Sequence, residues 1–183
     1  LDGARPGELE ILVACNGCSD RTAEIATSLG GDVRVVETRV ASKIAALNLG
    51  DQSATGFPRF YIDADVVVSV ESLRRTAELL RCDAFLAASP SIRFDLSRSN
   101  WLVKAFYAVW QLQPYFDSGR LGAGFYAVSR KGHARLGAFP QITADDEYVR
   151  RLFTESERTT APDATFTVTP PRCLNDLIRI KTR

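Results

Sequence analysis

Apolar and polar positions along this chain switch between two periods. ELEILVAC (8–15) is a continuous apolar run of strand length, and DVRVVET (32–38) alternates as a strand does. Between them DRTAEIATSLG (20–30) has helical spacing, an acidic cap and a closing glycine. SKIAALNLGDQSA (42–54) predicts a second helix, FYIDADVVV (60–68) a return to strand, ESLRRTAELLRC (71–82) a third helix and AFLAASP (84–90) another strand. Strands alternating with short helices predict βαβ units, in which a mainly parallel sheet is covered on both faces. Beyond residue 90 this rhythm breaks. Residues 99–116, SNWLVKAFYAVWQLQPYF, keep helical spacing but are rich in aromatics, so Trp101, Phe106 and Trp110 are expected in the core. The glycine-rich GRLGAGFYAVSRKG (119–132) then leads into a strand, and FPQITADDEYVRRLF (139–153) predicts a last helix with three acids at its start.

Composition narrows the partners rather than the fold. With 45% hydrophobic and 25% charged residues, 183 residues suit one globular domain, and no repeat or linker marks a boundary. A net charge of +1 gives no global field to draw in nucleic acid. No apolar run approaches the ~20 residues of a membrane span, and LDGARPGELE lacks the regions of a signal peptide. The location expected from these features is cytoplasmic. Cys15, Cys18, Cys82 and Cys173 complete no zinc site, since His133 is the only histidine. Cys15 and Cys18 are expected as free, buried, small apolar residues.

Three places carry candidate chemistry. Asp63 and Asp65 follow an apolar strand where it leaves the sheet, the edge at which open α/β sheets bind ligands. At i and i+2 of an extended segment both carboxylates point the same way and suit a magnesium or manganese ion carrying phosphate oxygens. A solvated turn followed by a helix cap would use the same two residues. In CNGCSD (15–20), Asn16 and Asp20 offer polar groups to a nucleoside, although, taken alone, a tight Asn-Gly turn with Asp20 as helix cap is the better explanation. Lys43 opens a helix, where its ammonium and the helix N-terminus both favour a diphosphate. Asp145, Asp146 and Glu147 either complement a helix dipole or include a general base.

In order, CNGCSD, SKIAALNLG, FYIDADVV, GAGFYAVSRKG and ADDEYVRRL resemble the family-two glycosyltransferases of the GT-A fold, over nearly the whole chain. The resemblance implies a Rossmann-like α/β domain with a mixed, mainly parallel sheet over residues 1–183. It implies inverting transfer of a sugar from a UDP- or GDP-sugar to an acceptor hydroxyl, with manganese or magnesium held by the Asp-x-Asp pair. Asp65 would coordinate the metal, and Asp63 would face the metal or the ribose. Asn16 and Asp20 would contact the nucleoside, with Lys43 nearby. Gly122, Ala123 and Gly124 would form the loop beneath donor sugar and acceptor. Asp146 matches the second acid of the family's Glu-Asp pair and is the candidate base, while Asp145 stands where that family has glutamate.

Two departures qualify the match. The family begins with a central strand and an I-P-A-x-N-E loop, and none precedes Leu1, so the natural protein is expected to start earlier; an intact mass of only 20.1 kDa would count against this. The C-terminal RCLNDLIRIKTR has no Q-x-x-R-W, which favours single transfer over processive synthesis. Arg179, Lys181 and Arg183 there read as a solvated basic tail, with peripheral contact to anionic lipid as the other reading. The acceptor, whether sugar, lipid carrier or small molecule, stays open. A non-catalytic nucleotide-sugar-binding scaffold and a nucleotidyltransferase are the competing functions.

Overall fold

The computed structural model describes residues 3–81, 84–113 and 121–182. Its first half follows the alternation of the sequence: β1 (Ile11–Asn16), α1 (Thr22–Ser28), β2 (Val33–Thr38), α2 (Lys43–Ser53) and β3 (Arg59–Ile62). β1 and β2 pair in parallel, Ile11 opposite Val33 through Asn16 opposite Thr38. Ser42 starts α2 by accepting the N–H of Ala45 at 3.3 Å, which satisfies an otherwise orphaned donor.

The segment expected as one strand over 60–68 is two. β3 ends at Ile62, the chain turns through Asp63 to Asp65, and β4 (Val66–Val68) joins the opposite edge of the second sheet. That sheet has the order β3-β6-β5-β7-β4, with α3 (Val70–Arg81), β5 (Ala87–Phe94), α4 (Trp101–Trp110), β6 (Phe125–Val128), α5 (Arg130–Leu136), α6 (Asp145–Leu152), β7 (Arg158–Val168) and α7 (Leu174–Lys181) following in the chain. Its pairing is mixed: β5 and β7 are parallel, while β6 runs antiparallel to both β3 and β5.

Strand β6 carries the core. All four of its residues are buried, and their alternation divides them between two faces. Tyr126 and Val128 pack with Ile44, Tyr61, Phe139, Val149 and Phe153 beneath α2 and α6, whereas Phe125 meets Leu73 and Phe166 beneath α3. Gly132 lets α5 close over this sheet, since a Cβ there would stand 2.2 Å from the Leu86 carbonyl oxygen.

Between the two sheets the strand ladder is interrupted. β1 pairs with β2 and β3 with β6, so among the described residues the facing edges of β1 and β3 have no strand partner. A cavity of about 850 Å³ lies between them, walled by Ala46 and Leu47 of α2 and by Leu73 and Ala77 of α3. Glu10 bridges the near end of both edges, accepting the N–H groups of Thr55 (2.8 Å) and Gly56 (2.9 Å). This accounts for a difference from the sequence reading: of the apolar β1 residues only Cys15 is buried.

Two other expectations change. Cys18 is exposed, because the turn after β1 carries it away from the sheet, while Cys15 is buried; Cys82 lies outside the described residues. Trp101 and Phe106 are exposed rather than core, since Val103 and Tyr107 face inward from α4 instead.

Candidate active site

The loop between β3 and β4 and the start of α6 meet through one lysine. Lys43 Nζ stands 2.8 Å from Asp63 Oδ1 and 2.8 Å from Asp145 Oδ1. Asp145 is 3% exposed, and its other oxygen accepts the hydroxyl of Tyr126 at 3.1 Å. Burial works to lower the Lys43 pKa, but hydrogen bonds and charge from Asp145 and Asp63 outweigh it and hold it above the ordinary lysine value. Burial, reinforced by the Asp145 carboxylate, pushes the Tyr126 phenol far up, so it stays a donor.

The Gly122, Ala123, Gly124 loop joins these acids to a third. All three residues have positive φ (107°, 59° and 89°). For Ala123 that conformation costs roughly 1 kcal/mol, and it aims the backbone N–H at Asp146 Oδ2, 3.0 Å away. Asp146 Oδ1 accepts the N–H of Glu147 at 2.8 Å. Gly124 in turn accepts the Asp63 N–H through its carbonyl at 2.8 Å. A Cβ on Gly124 would fall 3.2 Å from Asp63 Oδ2 and 3.2 Å from Val66. Gly124→Ala should therefore cost about 1–2 kcal/mol in urea unfolding and displace Asp63, read as weaker donor binding. Unchanged stability and binding would show that the loop tolerates a side chain.

The three acids at the head of α6 separate into different roles. Asp145 is buried and paired, Asp146 is half-buried on the loop side, and Glu147 is bound to Arg150 and Arg151, which hold its carboxyl at about 2. Asn48 of α2 fixes the approach to α6, donating to the Phe139 carbonyl at 3.0 Å and accepting its N–H at 2.8 Å. Neither Asn48 nor Tyr126 stood out in the sequence, although a buried tyrosine hydroxyl requires a partner.

Asn16, Lys43, Asp63 and Asp65 line the far end of the cavity between β1 and β3. Asp20 does not line it: its carboxylate takes the N–H and hydroxyl of Thr22 at the start of α1, which hold its pKa down. Asp65 is exposed and makes no hydrogen bond or ion pair among the described residues. Among the described residues no three His, Cys, Asp or Glu side chains form a ready ligand cluster. The donor set nevertheless suits a hard divalent cation completed by phosphate oxygens. Four carboxylates, Asp63, Asp65, Asp145 and Asp146, share this edge with the Lys43 ammonium, so among these groups negative charge outweighs positive and the edge favours a cation.

The sequence model described as Glycosyl transferase family 2 matches residues 4–136, more than half of the chain. The chain belongs to glycosyl transferase family 2. The family match takes in Asn16, Lys43, Asp63, Asp65 and the Gly-Ala-Gly loop, whereas Asp145 and Asp146 lie beyond it and are tied to it by Lys43 and Ala123. No curated protein sequence matches the chain. A solved structure described as GalNAc-T7 with UDP, GalNAc and Mn2+ is similar, with a TM-score of 0.57 and 15% identity over 84% of this chain and 35% of that one. That likeness shows a shared fold, the GT-A arrangement of family 2, and this chain spans about a third of the GalNAc-T7 chain.

Proposed function

We propose that this glycosyltransferase transfers a sugar with inversion from a nucleotide-sugar, a UDP- or GDP-sugar, to an acceptor hydroxyl, and needs manganese or magnesium. The observation that carries this reading is the Lys43 bridge, which ties Asp63 of the Asp-x-Asp turn, a cavity-lining residue, to Asp145 at the head of α6. UDP and Mn2+ in the GalNAc-T7 structure support the same donor and metal classes.

Each residue then has a chemical task. Asn16 faces the cavity where a nucleoside would lie. Asp65, with Asp63 beside it, would hold the metal, which when bound neutralises charge on the departing diphosphate. Lys43 keeps Asp63 and Asp145 oriented and adds a positive charge at the N-terminus of α2. Asp146 accepts the proton of the attacking hydroxyl: it is half-buried, and its two backbone hydrogen bonds fix the carboxylate in place. Asp145 is assigned a supporting task instead, since it is 3% exposed and held by the Lys43 ammonium and the Tyr126 hydroxyl, whereas Asp146 is only half-buried. The loop at Gly122 to Gly124 leaves room beside these groups because two of its residues have no side chain.

Incubation with a panel of nucleotide-sugars and manganese, monitoring released nucleoside diphosphate, tests the reading. Metal-dependent release abolished by chelation is expected. Donor binding with no release from any donor, across sugar, lipid and small-molecule acceptors, would replace it with a non-catalytic binding role.

A further inference from the structure

Helix α4 is apolar on nearly every side, a composition that calls for burial, yet only its inner face is covered. Val103 and Tyr107 pack on Leu177 of α7. The opposite face exposes Trp101 (74%), Val109 (64%) and, one turn further, Leu112 (81%). With Ala105 these residues recur at spacings of four, four and three, one continuous stripe on a helix. α7 adds Ile178 (52%), so the tail read as solvated and basic is a helix that also carries an apolar side. Loop contacts lock the two helices together: Asn100 donates to the Arg172 carbonyl at 2.8 Å and Ser99 to that of Pro171 at 2.9 Å.

The charge around this face is mainly positive. Residues 95–113 and 170–182 hold five basic residues, Arg98, Lys104, Arg172, Arg179 and Lys181, against two acids, Asp95 and Asp176. Arg98, Lys104, Arg172 and Arg179 are exposed, and none forms an ion pair among the described residues. Elsewhere Arg34, Arg74 and Arg135 are each bound to a glutamate. A second copy would bring the same cations face to face across a two-fold contact, which disfavours self-association. An apolar stripe flanked by cations and a tryptophan matches an anionic bilayer surface instead. No described helix is long and apolar enough to cross a membrane.

We propose that α4 and α7 together lie on an anionic lipid surface, with Trp101, Val109, Leu112 and Ile178 entering the headgroup boundary and the four cations meeting lipid phosphates.

Vesicle co-sedimentation of the full chain, with no donor present, tests this independently of any transfer chemistry. Binding to vesicles of phosphatidylserine and phosphatidylcholine, a blue shift of tryptophan fluorescence, and little binding to phosphatidylcholine alone are expected. Arg179→Glu or Lys104→Glu should weaken binding at least about fivefold each, and higher salt should weaken it further. Val109→Ser with Leu112→Ser should reduce it to background while circular dichroism shows the fold retained. Equal binding to neutral vesicles, no binding to either, or dimerisation in solution lost in the double serine variant would overturn the proposal.

Discussion

Asp146→Asn is expected to lower turnover by ~10²- to 10⁴-fold, the usual contribution of a general base, while leaving donor affinity unchanged. Asparagine keeps one of the Ala123 and Glu147 hydrogen bonds through its single carbonyl oxygen and turns its NH2 toward the other N–H, so circular dichroism should accompany the assay to show the fold retained. What it cannot do is take a proton. Steady-state nucleoside diphosphate release, paired with calorimetric donor binding, separates the two effects. Near-normal turnover in the variant would remove Asp146 from the reaction. A matching loss of donor affinity would instead place it in donor binding.

The family resemblance names Asp146 as the candidate base, but the residues themselves do not separate it from Asp145. Asp145 and Asp146 are adjacent, chemically identical and both at the first turn of one helix. Their difference arises from residues far away in the chain: Lys43 and Tyr126 enclose the first, and Ala123 reaches the second. Local patterning did find the first half of the fold, because each of its strands and helices has its own period and its own stop signal. It did not separate β3 from β4, since Asp63 to Asp65 lie between two apolar runs that read as one. Nor did it find β7 or α7, whose burial depends on partners in β5 and α4. Trp101 shows the same limit in reverse. Aromatic residues at helical spacing look like core, but only the packing of α4 on α7 decides which side of that helix faces in.

Lys43→Met should disable the site and loosen the fold together. Asp145 is nearly fully buried, so losing its cation leaves a charge with one neutral hydrogen bond to compensate it. Breaking a fully buried pair costs ~3–5 kcal/mol, but Lys43 is half-exposed and water screens the pair, so about 2 kcal/mol is expected in urea unfolding at pH 7. The pH dependence has a definite sign. The folded lysine pKa is raised, so the stabilisation is fully present below the unfolded value of ~10.4 and is lost as pH rises through the folded one. Wild-type and variant unfolding midpoints should therefore differ by a constant amount from neutrality to about pH 10 and converge above it. The double variant Lys43→Met, Asp145→Asn removes both charges and should recover most of the stability without recovering transfer, because the diphosphate side of the site still lacks its ammonium. If the double variant regained transfer as well, Lys43 would be serving only to neutralise Asp145.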